Sequence, residues 1–408
     1  MMTTKSTGPT RTPRLLRWRT GIMLLFAMQG FSMASWVAAI PAVRDGLGAS
    51  TGAVAALVAT YAAGSMLGIL AAERLLRRFG PRVTITGGVV GMAGAVAALG
   101  CAVQLLQSFP AASAALLLLG GSTGVCNVNV NVDGAANERA LGVSTLPRLH
   151  ACYSIGMVLG AGIGALALAA GRPIGVILAV AGVLVFLVGL TGSRLLPAGW
   201  RAVQGARADG SPARRRSGRR EWLDLRTVLI AVFAVGMTFA EGSANDWLSL
   251  AVVRGHGLQN ATGAAMFGLF AACMLAGRAL GHRATERFGR VAVLRVSAVL
   301  VVIGLVLVIV APDAGVIAVG AVCWGLGASL GYPLSISAAS DHGEHAAMRV
   351  TLIASAGTVA CLTGPMLIGL LAARTGLLDS LLVVVAMVVP AVLLAPALRR
   401  PPAAALAC

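Results

Sequence analysis

The 408 residues predict an all-α membrane protein with twelve transmembrane helices in two pseudo-symmetric six-helix halves, on three observations. The composition is 58% hydrophobic and only 11% charged, far from that of a soluble globular domain. Twelve stretches have the roughly 20 mostly apolar residues that a spanning helix needs. The chain also repeats itself. Gly68-Ile-Leu-Ala-Ala-Glu-Arg-Leu-Leu-Arg-Arg-Phe-Gly returns 209 positions later as Gly277-Arg-Ala-Leu-Gly-His-Arg-Ala-Thr-Glu-Arg-Phe-Gly, with Gly68/Gly277, Arg74/Arg283, Arg78/Arg287, Phe79/Phe288 and Gly80/Gly289 in register.

In order, residues 1–20 form a basic tail, and 21–42 make the first span, which contains Gln29 and Trp36. The second (51–72) runs into the first copy of the repeated loop, and the third is 83–106. The fourth (110–134) ends in Asn127-x-Asn129-x-Asn131-x-Asp133, echoed 208 positions later by Ser335-x-Ser337-x-Ala339-x-Asp341. The fifth (149–170) carries Gly156, Gly160, Gly162 and Gly164, a face of small residues that lets another helix approach closely or slide. The sixth is 173–192. Residues 193–225, with Pro197, Pro212 and the basic run Arg214–Arg220, form a solvated linker between two halves, 21–192 and 226–397.

The seventh span (226–250) holds Glu241, Asn245, Asp246 and Trp247. The eighth (259–281) leads into the second copy of the loop, and the ninth is 291–311. The tenth (313–338) holds Tyr332. The eleventh (347–372) has Ser355-x-Gly357, parallel to Ser154-x-Gly156, and the twelfth is 376–397, followed by the tail 398–408. Slight drift in spacing between the copies, as at Trp36 and Trp247, is expected from loops of unequal length.

The net charge of +18 does not point to nucleic acid. All but four of the 32 Lys and Arg fall on the side of the tails and linker, the four being Arg44, Arg172, Arg254 and Arg374. That bias places both termini in the cytoplasm and the chain in the cell (plasma or inner) membrane, with membrane lipid as a further partner of the basic residues. The first span is too long for a signal-peptide core and is read as uncleaved. Seven scattered cysteines without a Cys-x-x-Cys pair indicate neither a metal nor a disulfide framework. Lys5 is the only lysine, so no phosphate-binding Gly-x-x-x-x-Gly-Lys-Ser/Thr loop exists. Gly120-Gly121-Ser122-Thr123-Gly124 lies inside a helix, where close packing and not a nucleophile elbow is expected. No enzyme, cofactor or metal is indicated.

Acids within a span are costly unless they face a cavity or a partner. Glu241 lies near the middle of its span, with Asn245 one turn above and Asp246 beside it. Glu241 and Asp246 are candidate proton sites, and a structural hydrogen bond between helices is the other reading. Asn127 and Asn131 share one helix face, and their amides can bond hydroxylated solutes or neighbouring helices. Gln29, Tyr153, Asn245 and Tyr332 complete the candidate substrate cavity. His150 could pair with Asp133, titrate near neutrality or simply cap its helix. Glu73 would pair with Arg77 at i, i+4 if the second helix continues that far.

Two repeated halves, a long basic central loop and the Gly…Arg-Phe-Gly loops after spans two and eight resemble the major facilitator superfamily over essentially the whole chain. Asn131-Val-Asp-Gly-Ala-Ala-Asn-Glu-Arg-Ala-Leu-Gly…Pro147-Arg-Leu-His-Ala-Cys-Tyr-Ser-Ile-Gly is similar to its fucose-permease-like branch, although Gln29 stands where some members of that branch have an acid. The resemblance implies a gate on the cytoplasmic side, made here of Glu73, Arg78, Gly80, Glu286, Arg287 and Gly289 with Asp133 and His150. Arg78 and Arg287 would bond carbonyls or acids of neighbouring helix ends, Glu286 foremost. In the first copy Arg77 occupies the family's acidic slot. The expected function is proton-coupled, alternating-access transport of a small polar, sugar-like solute by a monomer. Drug or metabolite efflux by antiport is the alternative, disfavoured because Gly160-Ala161 replaces the Gly-Pro of drug antiporters in helix five.

Overall fold

The computed structural model describes residues 13–141, 146–197, 224–341 and 346–399. The linker run Arg214–Arg220, the outer parts of both tails, His342, His345 and Cys408 lie outside them. Twelve described helices are long and apolar enough to cross a membrane. They are α1 (Pro13–Gly46), α2 (Thr51–Phe79), α3 (Pro81–Gln104), α4 (Phe109–Leu141), α5 (Leu146–Ala169) and α6 (Ile174–Arg194). The second half comprises α7 (Leu225–Ser243, continued by turns to Gly255), α8 (Asn260–Phe288), α9 (Arg290–Val310), α10 (Ala314–Ala339), α11 (Ala346–Thr375) and α12 (Leu377–Leu398).

Local chemistry sets the helix ends. Ser50 caps α2 by accepting the Ala53 N–H at 3.2 Å, and Asp224 caps α7 by accepting that of Thr227 at 2.8 Å. Gly80 and Gly289 separate the helices on either side of each repeated loop, both with φ +78°, a region that side-chain-bearing residues rarely occupy. Pro81 then starts α3 at a position that needs no N–H.

Helix pairing confirms the repeat. In the first half α1 packs on α5 and α6, α2 on α4, and α3 on α4 and α6; in the second half the corresponding pairs recur, α7 with α11 and α12, α8 with α10, and α9 with α10 and α12. The halves meet through α5 against α8 and α2 against α11, which are the same contact under exchange of halves. Glycines allow the closest approach. A Cβ on Gly30 of α1 would overlap the Tyr153 carbonyl of α5, and one on Gly156 would overlap the Ala27 carbonyl. Gly156 and Gly160 of the small face of α5 are therefore needed for packing against α1, whereas a Cβ on Gly162 would meet nothing within 4 Å. The Gly120–Gly124 segment likewise lies against Tyr61 and Ser65 of α2. Large side chains such as Leu70, Leu166, Val310 and Leu393 are more than 60% exposed, as suits a surface solvated by lipid.

Two expectations need correction. Helix α1 begins at Pro13 and not at 21, so part of the basic tail is helical and Trp18 is 5% exposed. Beyond Ser243, α7 passes through two π turns, Ala244–Leu248 and Ala251–Gly255, that α1 lacks. A π turn takes more residues per turn than an α turn. Only the first begins ahead of Trp247, so it alone can contribute inside the helix to the wider spacing of Trp36 and Trp247.

A candidate transport cavity

Glu241 on α7 is not alone at mid-depth. Arg278 of α8 donates from Nη2 to Glu241 Oε1 at 2.9 Å, and from Nη1 to Ser154 Oγ of α5 at 3.3 Å. One guanidinium thus joins two helices of the second half to a helix of the first. The side chains of Arg278 and Glu241 are 26% and 22% exposed, so the pair lines a space and is not sealed in a core. In the sequence Arg278 falls near the inner end of the eighth span, 259–281, among the basic residues that set orientation. The structure carries α8 on to Phe288, ten residues further. The missed signal was in the repeat: Arg278 matches Ile69, so one half has a charge where the other has an aliphatic side chain.

Several predicted residues gather around this pair. Tyr153 of α5, Tyr332 of α10 and Cys361 of α11 are within electrostatic reach of Glu241, and Tyr153 and His150 are within reach of Arg278. Asp246 and Asn245 fall in the first π turn and are half-buried. Asp246 has no hydrogen-bond or ion-pair partner among the described residues and lies in reach of Tyr61 and Cys361. The Asn245 Oδ1 is also unpartnered there. Asn131 donates to the Asn127 carbonyl at 2.8 Å and to its side-chain oxygen at 3.0 Å, leaving an amide pair on a partly exposed face. Gln29 is 2% exposed and bonds the Leu25 carbonyl at 3.4 Å. It belongs to the packing of α1 and not to an open cavity wall.

The expected gate is arranged differently. His150 does not pair with Asp133; it packs edge-on against Phe26, ring centres 5.3 Å apart. Asp133 instead accepts the indole N–H of Trp18 at 2.8 Å. Glu286 pairs with His282 at 3.2 Å on the exposed side of α8, and Arg287 lies over the Phe288 ring at 5.4 Å. Arg78 lies over Phe79 at 5.2 Å in the same way. Both arginines are exposed and lie in the last turn of their helices. Arg77 and Glu73 do pair, at 2.7 Å.

The network that sequence reasoning missed centres on Arg290, the residue after Gly289. It bonds both oxygens of Asp341, at 2.5 and 3.2 Å, and Ser337 at 3.1 Å. Arg226 reaches Asp341 at 3.5 Å and the Ala397 and Arg399 carbonyls at 3.0 and 2.9 Å. Arg349 of α11 pairs with Asp224 at 3.2 Å. Burial would push the Asp224 carboxyl up, but hydrogen bonds from Thr227 and the charges of Arg349 and Arg226 outweigh it and hold its pKa below the usual carboxylate range.

All these contacts, at the end of the bundle where the termini lie, run within one half. At the opposite end the halves touch directly. Asn260 of α8 donates to Asp45 of α1 at 3.1 Å, and Gly369 of α11 lies against Ala55 of α2 and Trp247 of α7.

Twelve spanning helices in two exchange-related halves, with an ion-paired polar wall between them, define a membrane transporter and not an enzyme. The family is equally plain. The model of the Major Facilitator Superfamily matches residues 22–365, and the chain belongs to that superfamily. An uncharacterized MFS-type transporter of Yersinia pestis is 27% identical over 362 residues, covering 87% of this chain and 88% of the relative. An uncharacterized transporter of Sinorhizobium fredii is 26% identical, covering 88% and 92%. Among solved structures, the nucleoside transporter NupG superposes with a TM-score of 0.67 at 13% identity, covering 95% of this chain and 98% of that one. The xylose transporter XylE from E. coli gives 0.67 at 12% identity, covering 93% and 98%. At these identities the structural likeness speaks for the fold alone.

Proposed function

We propose that the chain is a proton-coupled secondary transporter of the fucose-permease-like branch, moving a small polar solute by alternating access. The observation that carries this is the Arg278–Glu241 pair, partly exposed at mid-depth and bonded across to Ser154 of the other half. A carboxylate in that position changes the electrostatics between the halves when it takes up or releases a proton, which is what coupling requires. Asp246, without a hydrogen-bond or ion-pair partner among the described residues, is the second proton site. Tyr153, Tyr332, Asn127, Asn131 and Asn245 supply donors and acceptors for hydroxyl groups.

With both termini and the basic linker in the cytoplasm of a cell that holds the protein in its plasma or inner membrane, the direct contact between halves at Asp45–Asn260 lies on the outer side. The described arrangement then faces inward. The protein works as a monomer bathed in membrane lipid. Efflux by antiport is the competing reading, and the direction of proton flow separates the two.

The test uses the purified chain in proteoliposomes that enclose a pH-sensitive dye. Adding solute outside under an imposed gradient, acid outside, should speed acidification of the lumen. Glu241→Gln should abolish that response while the protein stays folded, and exchange of labelled for unlabelled solute should survive. Full solute-driven proton movement by a well-folded Glu241→Gln protein would remove this residue from the mechanism. Solute-driven alkalinisation would establish antiport.

A further inference from the structure

A guanidinium keeps its charge at any physiological pH and offers five N–H donors in a planar fork. Arg278 uses that fork incompletely. Glu241 meets it through one oxygen, Oε1 at 2.9 Å, where a well-placed carboxylate would accept two parallel bonds. Ser154 accepts the other described bond, at the longer distance of 3.3 Å. The first half has Ile69 at the matching place, so nothing in the repeat demands a charge here. The groups facing the pair from other helices are Tyr153 and His150 of α5, Tyr332 of α10 and Cys361 of α11, while Asp246 of α7 lies in reach of Tyr61 and Cys361. Arg278 is the permanent cation among them.

We propose that Arg278 is the anion subsite of the cavity and that the cargo is a hydroxylated carboxylate, a sugar acid in chemical class. Its carboxylate takes the place of Glu241 on Arg278 when Glu241 is protonated. This rests on the reading of Glu241 as the proton carrier. Protonating Glu241 takes away the charge that neutralises Arg278, and an unpaired arginine at mid-depth is strongly disfavoured. A carboxylate on the cargo restores neutrality and can fill the fork through both oxygens. A neutral sugar restores neither, and an ammonium group is repelled. One proton and one carboxylate enter together, so the loaded site has the same net charge as the empty one. The tyrosines beside the pair then meet the hydroxyls. Substrate and proton are thereby linked through one side chain, without any contact between them.

Matched probes differing in one group test this. Thermal unfolding of the purified full chain is followed with glucuronate, glucose and glucosamine at pH 5.5 and 7.5. Glucuronate should raise the midpoint, and more so at pH 5.5, while glucose and glucosamine should not. In Glu241→Gln the glucuronate effect should be equal at both pH values. Arg278→Gln should lose it, and Arg278→Lys, which keeps the charge and loses the fork, should bind about tenfold more weakly. Stabilisation by glucose equal to that by glucuronate would overturn the proposal. So would glucuronate binding that survives Arg278→Gln, or a parent protein that responds neither to glucuronate nor to the open-chain hydroxy acids gluconate and lactate. Carboxylate binding through Arg278 that ignores pH would overturn both this exchange and the coupling reading. Glucose-driven proton uptake that needs Glu241 but is indifferent to Arg278→Lys would overturn the exchange alone.

Discussion

Asp133 and Asp341 stand 208 positions apart at equivalent places near the ends of α4 and α10, yet their partners are of opposite kinds. In the second half Asp341 is clasped by Arg290 and Arg226, which also hold the Leu398, Ala397 and Arg399 carbonyls, so α7, α9, α10 and the end of α12 form one ionic knot. In the first half Pro81 stands at the place that matches Arg290, and Trp18 of α1 is the residue that reaches Asp133. Among the described residues Asp133 has a single bond, from a neutral indole, at 3% exposure. The repeat has kept the placement of the carboxylate and replaced the chemistry around it. One half is tied at this end by charge, the other by a hydrogen bond and apolar packing, so a rocking motion would turn a rigid end against a looser one.

The largest effect that separates the halves should come from removing the carboxylates. Asp341→Asn leaves the Arg290 side chain, 4% exposed, without its counter-charge, and should destabilise the protein by about 3–5 kcal/mol. Asp133→Asn keeps an acceptor for the Trp18 N–H and should cost about 1 kcal/mol. Denaturant unfolding in micelles measures both, and comparable losses would break the comparison. The loop glycines should behave alike. An added Cβ at Gly80 or Gly289 meets nothing within 4 Å, so Gly80→Ala and Gly289→Ala register the backbone strain alone, about 1–3 kcal/mol each. Unequal values would show that the asymmetry extends to the turns. The smallest effect should follow Glu286→Ala with Arg287→Ala. The His282–Glu286 pair is 83% and 65% exposed, and such i, i+4 pairs contribute at most about 0.5 kcal/mol. Single-cysteine labelling on both sides should match the parent. A shift in labelling would restore these residues to a gate.

Elements and site were unequally legible. All twelve spans could be read because length and apolarity are local properties of the chain, and the turn glycines because tight turns require them. Glu241 stood out because an acid in an apolar run is conspicuous by itself. Arg278 did not, since an arginine near the end of a hydrophobic stretch looks like any positive-inside residue until α8 is seen to continue past it. The pairing of His150 with Asp133 failed for a related reason: adjacent helix ends in sequence do not fix which side chains meet, and Trp18, assigned to the tail, was nearer.

By itself the sequence determined that the chain is a twelve-helix, two-fold repeated membrane protein, because apolarity, span length and self-similarity follow from the order of residues. Only the tertiary structure decided that Arg278 meets both Glu241 and Ser154, that Asp341 is tied to charge and Asp133 to an indole, and that α7 passes through two π turns. These depend on how helices approach and rotate against one another. That is set by close contacts such as Gly30 against Tyr153 and Gly156 against Ala27, which no single helix specifies alone.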